Sequence, residues 1–124
     1  MKSCIAFEMD DPQAAYEHIK PEVLINYGDE AYGKCLHMRD DGSRVLVRCK
    51  VCGGMILIQE SEFHSFTDSS DSLYIDYFPV ISAEEADSIN RKWGGYELER
   101  LFQKRYLCVT NGRPHWSTIN ISDN

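Results

Sequence analysis

Between Val51 and Ile89 the chain has no Lys and no Arg. The same span holds eight acids: Glu60, Glu62, Asp68, Asp71, Asp76, Glu84, Glu85 and Asp87. The net charge is -7, so the remaining residues, with 13 bases against 12 acids, sum to about +1. The negative charge therefore lies in one contiguous third of the sequence. Such a field repels nucleic acid and anionic membranes and attracts a basic partner. A second absence is any apolar run near the ~18 residues a membrane helix needs. The longest run, Met55-Ile56-Leu57-Ile58, is strand length. The opening Met1–Glu8 brings in an acid too early for a signal peptide, so the expected compartment is the cytoplasm. Also missing are internal repeats, linkers, a phosphate-binding loop and any Gly-x-Ser-x-Gly nucleophile elbow.

What is present fits one domain over 1–124, large enough for a core and too short for two. Hydrophobic content of 43% and aromatic content of 11% argue for a folded chain. The five cysteines, Cys4, Cys35, Cys49, Cys52 and Cys108, are odd in number. That suits reduced thiols or metal ligands better than a disulfide framework.

The pattern predicts an α+β fold: a mostly antiparallel sheet of four to six strands with one or two helices on one face. Cys4–Met9 reads as a strand. Asp10-Asp11-Pro12 starts a short helix that stops before Pro21, and 21–33 reads as loop. Leu36 and Met38, then Val45 and Val47, alternate around Asp41-Gly42, which predicts a hairpin turn there. After a turn over Cys49–Gly54, strands follow at Met55–Phe63 and Leu73–Val80, and Pro79 marks an edge or an end. Ser82-Ala83-Glu84-Glu85 is a capping box. Ala86, Ile89 and Trp93 then form a helical stripe ended by Gly94-Gly95, with a further helical turn at 97–104. Arg105–Thr110, an Asn111-Gly112 turn and His115–Ile121 complete the sheet. Trp116 follows that turn and reads, like Trp93, as a packing residue.

Cys49-x-x-Cys52-Gly-Gly is the sharpest local motif. Two cysteines two apart in a tight turn can ligate one zinc ion, and the following glycine accepts positive φ. Two more ligands would be needed, drawn from Cys35, His37, His64, Cys108 and His115. The hairpin register points Cys35 and His37 away from Cys49. Without a metal the same residues are two packed thiols in a Gly-containing turn. A thioredoxin-like motif wants a helix after the second cysteine, and Gly53–Ile58 starts one poorly. Glu60, Glu62 and His64 share one side of a strand, a pattern fit for acid–base work and equally for the wet side of a sheet.

Four segments resemble small bacterial immunity proteins of the Firmicutes type, which act in polymorphic or contact-dependent growth-inhibition toxin systems. They are Arg48–Gly54, Leu57–His64, Asp76–Val80 and Ser82–Asp87. The resemblance spans about residues 33 to 110. It implies a non-enzymatic protein that binds and neutralises a cognate toxin domain, in many such systems a basic nuclease. No residue set carries over from it. From charge and strand geometry, Glu60, Glu62, Asp68, Asp71 and Asp76 would supply the electrostatic contact, with Tyr74 and Tyr77 as anchors. The alternatives are a zinc-stabilised adaptor for another protein, an enzyme using Glu60, Glu62 and His64, or an acidic face that serves only solubility.

Overall fold

A computed structural model describes residues 3–28, 39–64, 71–92 and 105–117. The strands are β1 (Pro21–Gly28), β2 (Arg39–Cys49), β3 (Met55–His64), β4 (Asp71–Val80), β5 (Tyr106–Thr110) and β6 (Arg113–Ser117). They form one open six-stranded sheet in chain order, every neighbour antiparallel. A 3₁₀ turn (Ile5–Glu8) and α1 (Pro12–His18) precede the sheet, and α2 (Ala83–Lys92) lies between β4 and β5. The α+β class is as expected, but the helices take both faces rather than one.

The alternation of each strand explains this sandwich. Val47, Cys49, Ile56, Tyr77, Leu107 and Val109 form one face, covered by Cys4, Ala6, Ala15 and Ile19 of the N-terminal segment. Leu46, Leu57, Phe78, Val80, Tyr106 and Cys108 form the other, covered by Ala83, Ala86 and Ile89 of α2. A central strand covered on both sides has no wet face, so Met55–Ile58 is continuously apolar. On the α2 side a polar row interrupts the core. Arg44 is fully buried. Its Nε donates to Gln59 Oε1 at 2.9 Å and its Nη1 to Asn90 Oδ1 at 3.1 Å.

The caps follow the sequence. Asp11 accepts from the Gln13 amide at 3.0 Å, with Pro12 in the first turn of α1. Ser82 Oγ accepts from the Glu85 amide at 3.0 Å, while Glu85 reaches back to the Ile81 amide rather than that of Ser82. The β5–β6 turn has Asn111 at φ 50° and Gly112 at φ 82°, the left-handed pair a two-residue hairpin demands. Pro114 fits because β6 is an edge strand.

Several expectations are corrected. Asp41-Gly42 is no turn: both residues lie inside β2, opposite Glu62 and Ser61. The partners of Val45 and Val47 are Ile58 and Ile56, so apolar pairing with β3 prevails over the local turn signal. Leu36 and Met38 lie outside the described residues, as do Trp93, Gly94-Gly95 and 97–104. The expected loop at 21–33 contains β1, whose two register irregularities break its period-two pattern. The expected strand at Cys4–Met9 is a 3₁₀ turn, closed by the Phe7 amide on the Cys4 carbonyl. The last strand begins at Arg113 rather than His115.

The N-terminal segment is also tied to the far edge of the sheet. Arg105 donates to the carbonyls of Phe7 (2.5 Å) and Met9 (2.9 Å), and its guanidinium lies 3.8 Å from the centre of the Trp116 ring. Trp116 Nε1 donates to the Asp10 carbonyl at 2.9 Å. Arg105→Met removes two charged donors from two backbone acceptors. It should lower unfolding stability by about 2 kcal/mol in urea and speed chymotryptic cleavage at Phe7 and Tyr16. Unchanged cleavage would mean that the segment is held from its other end alone.

Candidate metal centre

Three segments meet at the β2–β3 turn, each brought there by local structure. The turn itself is closed by Cys49 N–H to the Gly54 carbonyl and Gly53 N–H to the Cys49 carbonyl, both 2.8 Å. Gly53 takes φ +78°, which favours glycine. The residues before β1 form the second segment: Pro21 pairs with Cys49, and Lys50 N–H donates to the Lys20 carbonyl at 2.9 Å. This holds the end of α1, and with it His18, over the turn. The third is the N-terminus, where Ser3 bridges Met55 in parallel. Gly54 allows that approach, because a Cβ there would lie 2.3 Å from the Cys4 Cα and 2.4 Å from its nitrogen.

The result is a cluster of Cys4, His18, Cys49 and Cys52 whose ligand atoms all lie within 4.8 Å of one another. Cys52 Sγ is 3.5 Å from Cys4 Sγ. Cys49 Sγ is 3.7 Å from the His18 carbonyl. Thiolates about 2.3 Å from a tetrahedral zinc ion stand roughly 3.8 Å apart, so this spacing needs little adjustment. Cys4 and Cys49 are fully buried, and Cys52 is on the solvent side. His18 Nε2 is buried without a hydrogen-bond partner. Leaving such an atom unsatisfied costs about 1–3 kcal/mol, and a cation on it would remove that cost.

The thiols are not equivalent. Burial would push Cys49 up, but the backbone N–H groups of Lys20, Cys52 and Val51 and the Cys4 thiol outweigh it and bring the group down to about 7. Burial, by contrast, drives Cys4 well above the usual thiol range. A metal entering the site must displace the Cys4 proton, so uptake releases acid and weakens as pH falls. Three thiols and one imidazole can hold a metal ion.

Cys49 and Cys52 thus lie where the spacing put them, and the completing donors are Cys4 and His18, neither among the expected candidates. Cys108 and His115 pair with each other across β5 and β6, away from the cluster. His64 is at the opposite end of β3 from Met55. Cys35 and His37 lie outside the described residues.

The expected contact residues are scattered. Glu60 is exposed on β3. Glu62 pairs in register with Leu73, and His64 with Asp71, at the strand ends farthest from the cysteine turn. Asp68 lies outside the described residues. Tyr74 is half-buried. Asp76 is fully buried and Tyr77 is 9% exposed. The strand alternation turns Asp76 into the α2 face and Tyr77 into the opposite core, so neither offers a surface contact. Burial, with Tyr16 and Glu60 nearby, pushes the Tyr77 hydroxyl up to about 12. Of the helix acids, Asp87 accepts from the Tyr27 hydroxyl at 2.5 Å, and Glu85 serves the cap.

No family model matches this chain, and neither a curated protein nor a solved structure does. The site's reading therefore rests on its own chemistry.

The two glycines of the turn separate backbone strain from close approach. Gly53→Ala has open space for its methyl group and should cost about 1–2 kcal/mol for the left-handed backbone alone. Gly54→Ala forces the Cys4 backbone away. It should lower the melting temperature further and expose Cys4 to a thiol reagent in the native protein, which Gly53→Ala should not do.

Proposed function

We propose that this protein is a non-catalytic protein-binding domain whose N-terminal segment is stapled to its sheet by one structural zinc ion. Cys4, His18, Cys49 and Cys52 are the ligands. The observation that carries this reading is the four-donor cluster with its orphaned His18 Nε2. Three thiolates and an imidazole are a zinc donor set, and four protein ligands leave no open position for a substrate or an activated water. When bound, the ion supplies cross-linking and folding free energy.

Protein purified without added metal should carry about one equivalent of zinc. His18→Ala and the Cys49→Ser/Cys52→Ser pair should each abolish it, and chelator should lower the melting temperature of the wild type only. Metal-free protein that melts at the same temperature with and without chelator would leave a cluster of packed thiols.

The partner in this reading is a basic protein, and in the terms of the sequence resemblance a cognate toxin domain that the protein neutralises. The cation-free third of the chain supports it, as does the exposed Glu60 near the end of the sheet where the register also brings Glu62 and Asp71. Lys20, Lys50 and Arg48 lie by the cysteine turn at the other end. An acidic end steers a basic partner and speeds association at low salt. A toxin fragment encoded beside this protein should co-purify with it and be inhibited by it. Glu60→Lys with Glu62→Lys should slow association about tenfold at low salt and much less at high salt. Equal rates for the variant and the wild type would place the interface elsewhere.

A further inference from the structure

We infer that Cys4 and Cys52 form an oxidation-sensitive pair, so that the N-terminal staple can pass from a metal-held to a disulfide-held form. The inference rests on the zinc reading for its first state only. Its basis is placement. The two sulfurs are 3.5 Å apart, and a disulfide needs about 2.05 Å. Cys52 is on the solvent side of the cluster, where a small oxidant arrives first, while Cys4 is buried behind it. An exposed sulfur that is oxidised beside a second thiol is the arrangement that resolves to a disulfide. Cys49, the nearer cysteine in sequence, is buried, and its main chain closes both hydrogen bonds of the turn. Cys108 is buried on the opposite face of the sheet, with its sulfur 3.5 Å from the Thr110 hydroxyl. Cys108 is not placed to compete, whereas the Cys49 sulfur lies within 4.8 Å of both the Cys4 and Cys52 sulfurs and is the alternative partner that the peptide map tells apart.

The chemistry balances with hydrogen peroxide as oxidant. Cys52 sulfur attacks one peroxide oxygen, the O–O bond breaks, and Cys52 sulfenic acid and water result. Cys4 sulfur then attacks the Cys52 sulfur, the S–S bond forms, and the S–O bond breaks. The leaving hydroxide takes a proton to become the second water. Two thiols and one peroxide thus give one disulfide and two waters. From the metal-bound form, in which both sulfurs are thiolates, solvent provides the two protons. The cation then keeps only His18 and Cys49, and two ligands do not retain zinc against a chelating dye.

The consequence is specific to this fold. Because Cys4 stays joined to the turn, the N-terminal segment remains docked at the cluster in both forms, whereas loss of metal alone would leave it held only by Arg105 and Trp116. Oxidation therefore changes the ligand state of the site without opening the core beneath it.

The test uses the purified full chain with Cys35→Ser and Cys108→Ser, which leaves only the three cysteines of the cluster. The protein is treated with a few equivalents of hydrogen peroxide. Zinc release is followed with a chelating dye, and the disulfide is assigned by peptide mapping without reductant. The expected result is one zinc released per chain, a Cys4–Cys52 cross-linked peptide and an unmodified Cys49. Dithiothreitol with added zinc should reverse both signals. Chymotrypsin should cleave the oxidised protein at Phe7 no faster than the zinc form, and the chelator-stripped reduced form faster. A Cys49–Cys52 peptide, a sulfinic acid at Cys52 without a cross-link, or retention of zinc through the treatment would overturn the inference. If the starting protein holds no zinc, the metal reading fails by itself, and the same peptide map still decides which sulfurs pair.

Discussion

The structure depends on holding a short N-terminal segment against a sheet that needs covering on both faces. That segment is a four-residue 3₁₀ turn and a seven-residue helix. Helices shorter than about 12–15 residues are marginal in water without tertiary support. Its fully buried residues are Cys4, Ala6 and Ala15, which are small and contribute little apolar area. Ile19, Phe7 and Met9 add apolar contact, and two fixed points hold the segment in place. One is the cluster of Cys4, His18, Cys49 and Cys52. The other is Arg105 with Trp116, which hold the Phe7, Met9 and Asp10 carbonyls.

The opposite face is closed by different means. There α2 begins at its own capping box and lies over larger side chains, with Phe78 and Tyr106 in ring contact at 4.9 Å. The buried Arg44, joined to Gln59 on β3 and Asn90 on α2, ties strand register to helix position. A slip of one residue would turn Arg44 and Gln59 into the N-terminal core and Val45 and Ile58 out of it. A buried polar contact of this kind, here with Gln59 Nε2 left without a partner, specifies one arrangement more than it adds net stability. The Tyr27 hydroxyl on Asp87 fixes β1 to the same helix.

Much of the sheet was legible in the sequence. β3, β4, α2 and the β5–β6 turn carry strong local signals: an apolar run, an alternating run, a capping box and Asn-Gly. Asp41-Gly42 misled because its turn preference is local, while the pairing of Val45 with Ile58 spans the Cys49–Gly54 turn. β1 was hidden because its bulges spoil the period of two. That omission also hid half of the candidate metal site. His18 reaches Cys49 only because β1 follows at once and pairs Pro21 with Cys49, and Cys4 arrives only through the glycine at 54. A ligand set spread over three segments has no diagnostic spacing. The one clue was that Cys49-x-x-Cys52 lacked two partners. Asp76 and Tyr77 show the same limit from the other side, since an acid in a strand reads as wet until the helix that covers it is placed.

The acids of the strand ends and the four-donor cluster lie at opposite ends of the same strands. β3 leaves the cysteine turn at Met55 and reaches Glu60, Glu62 and His64, and β4 returns from Asp71 to Val80 beside the turn. Like charges gathered at one end repel one another and weaken the compact state. They also repel thiolates, and distance along the strands limits that repulsion. The backbone N–H groups of Lys20, Cys52 and Val51 favour the Cys49 thiolate there. Separation thus keeps the carboxylates of the strand ends away from the four-donor cluster. Interchanging the two would place carboxylates against three thiols, in a region where burial already opposes ionisation of Cys4.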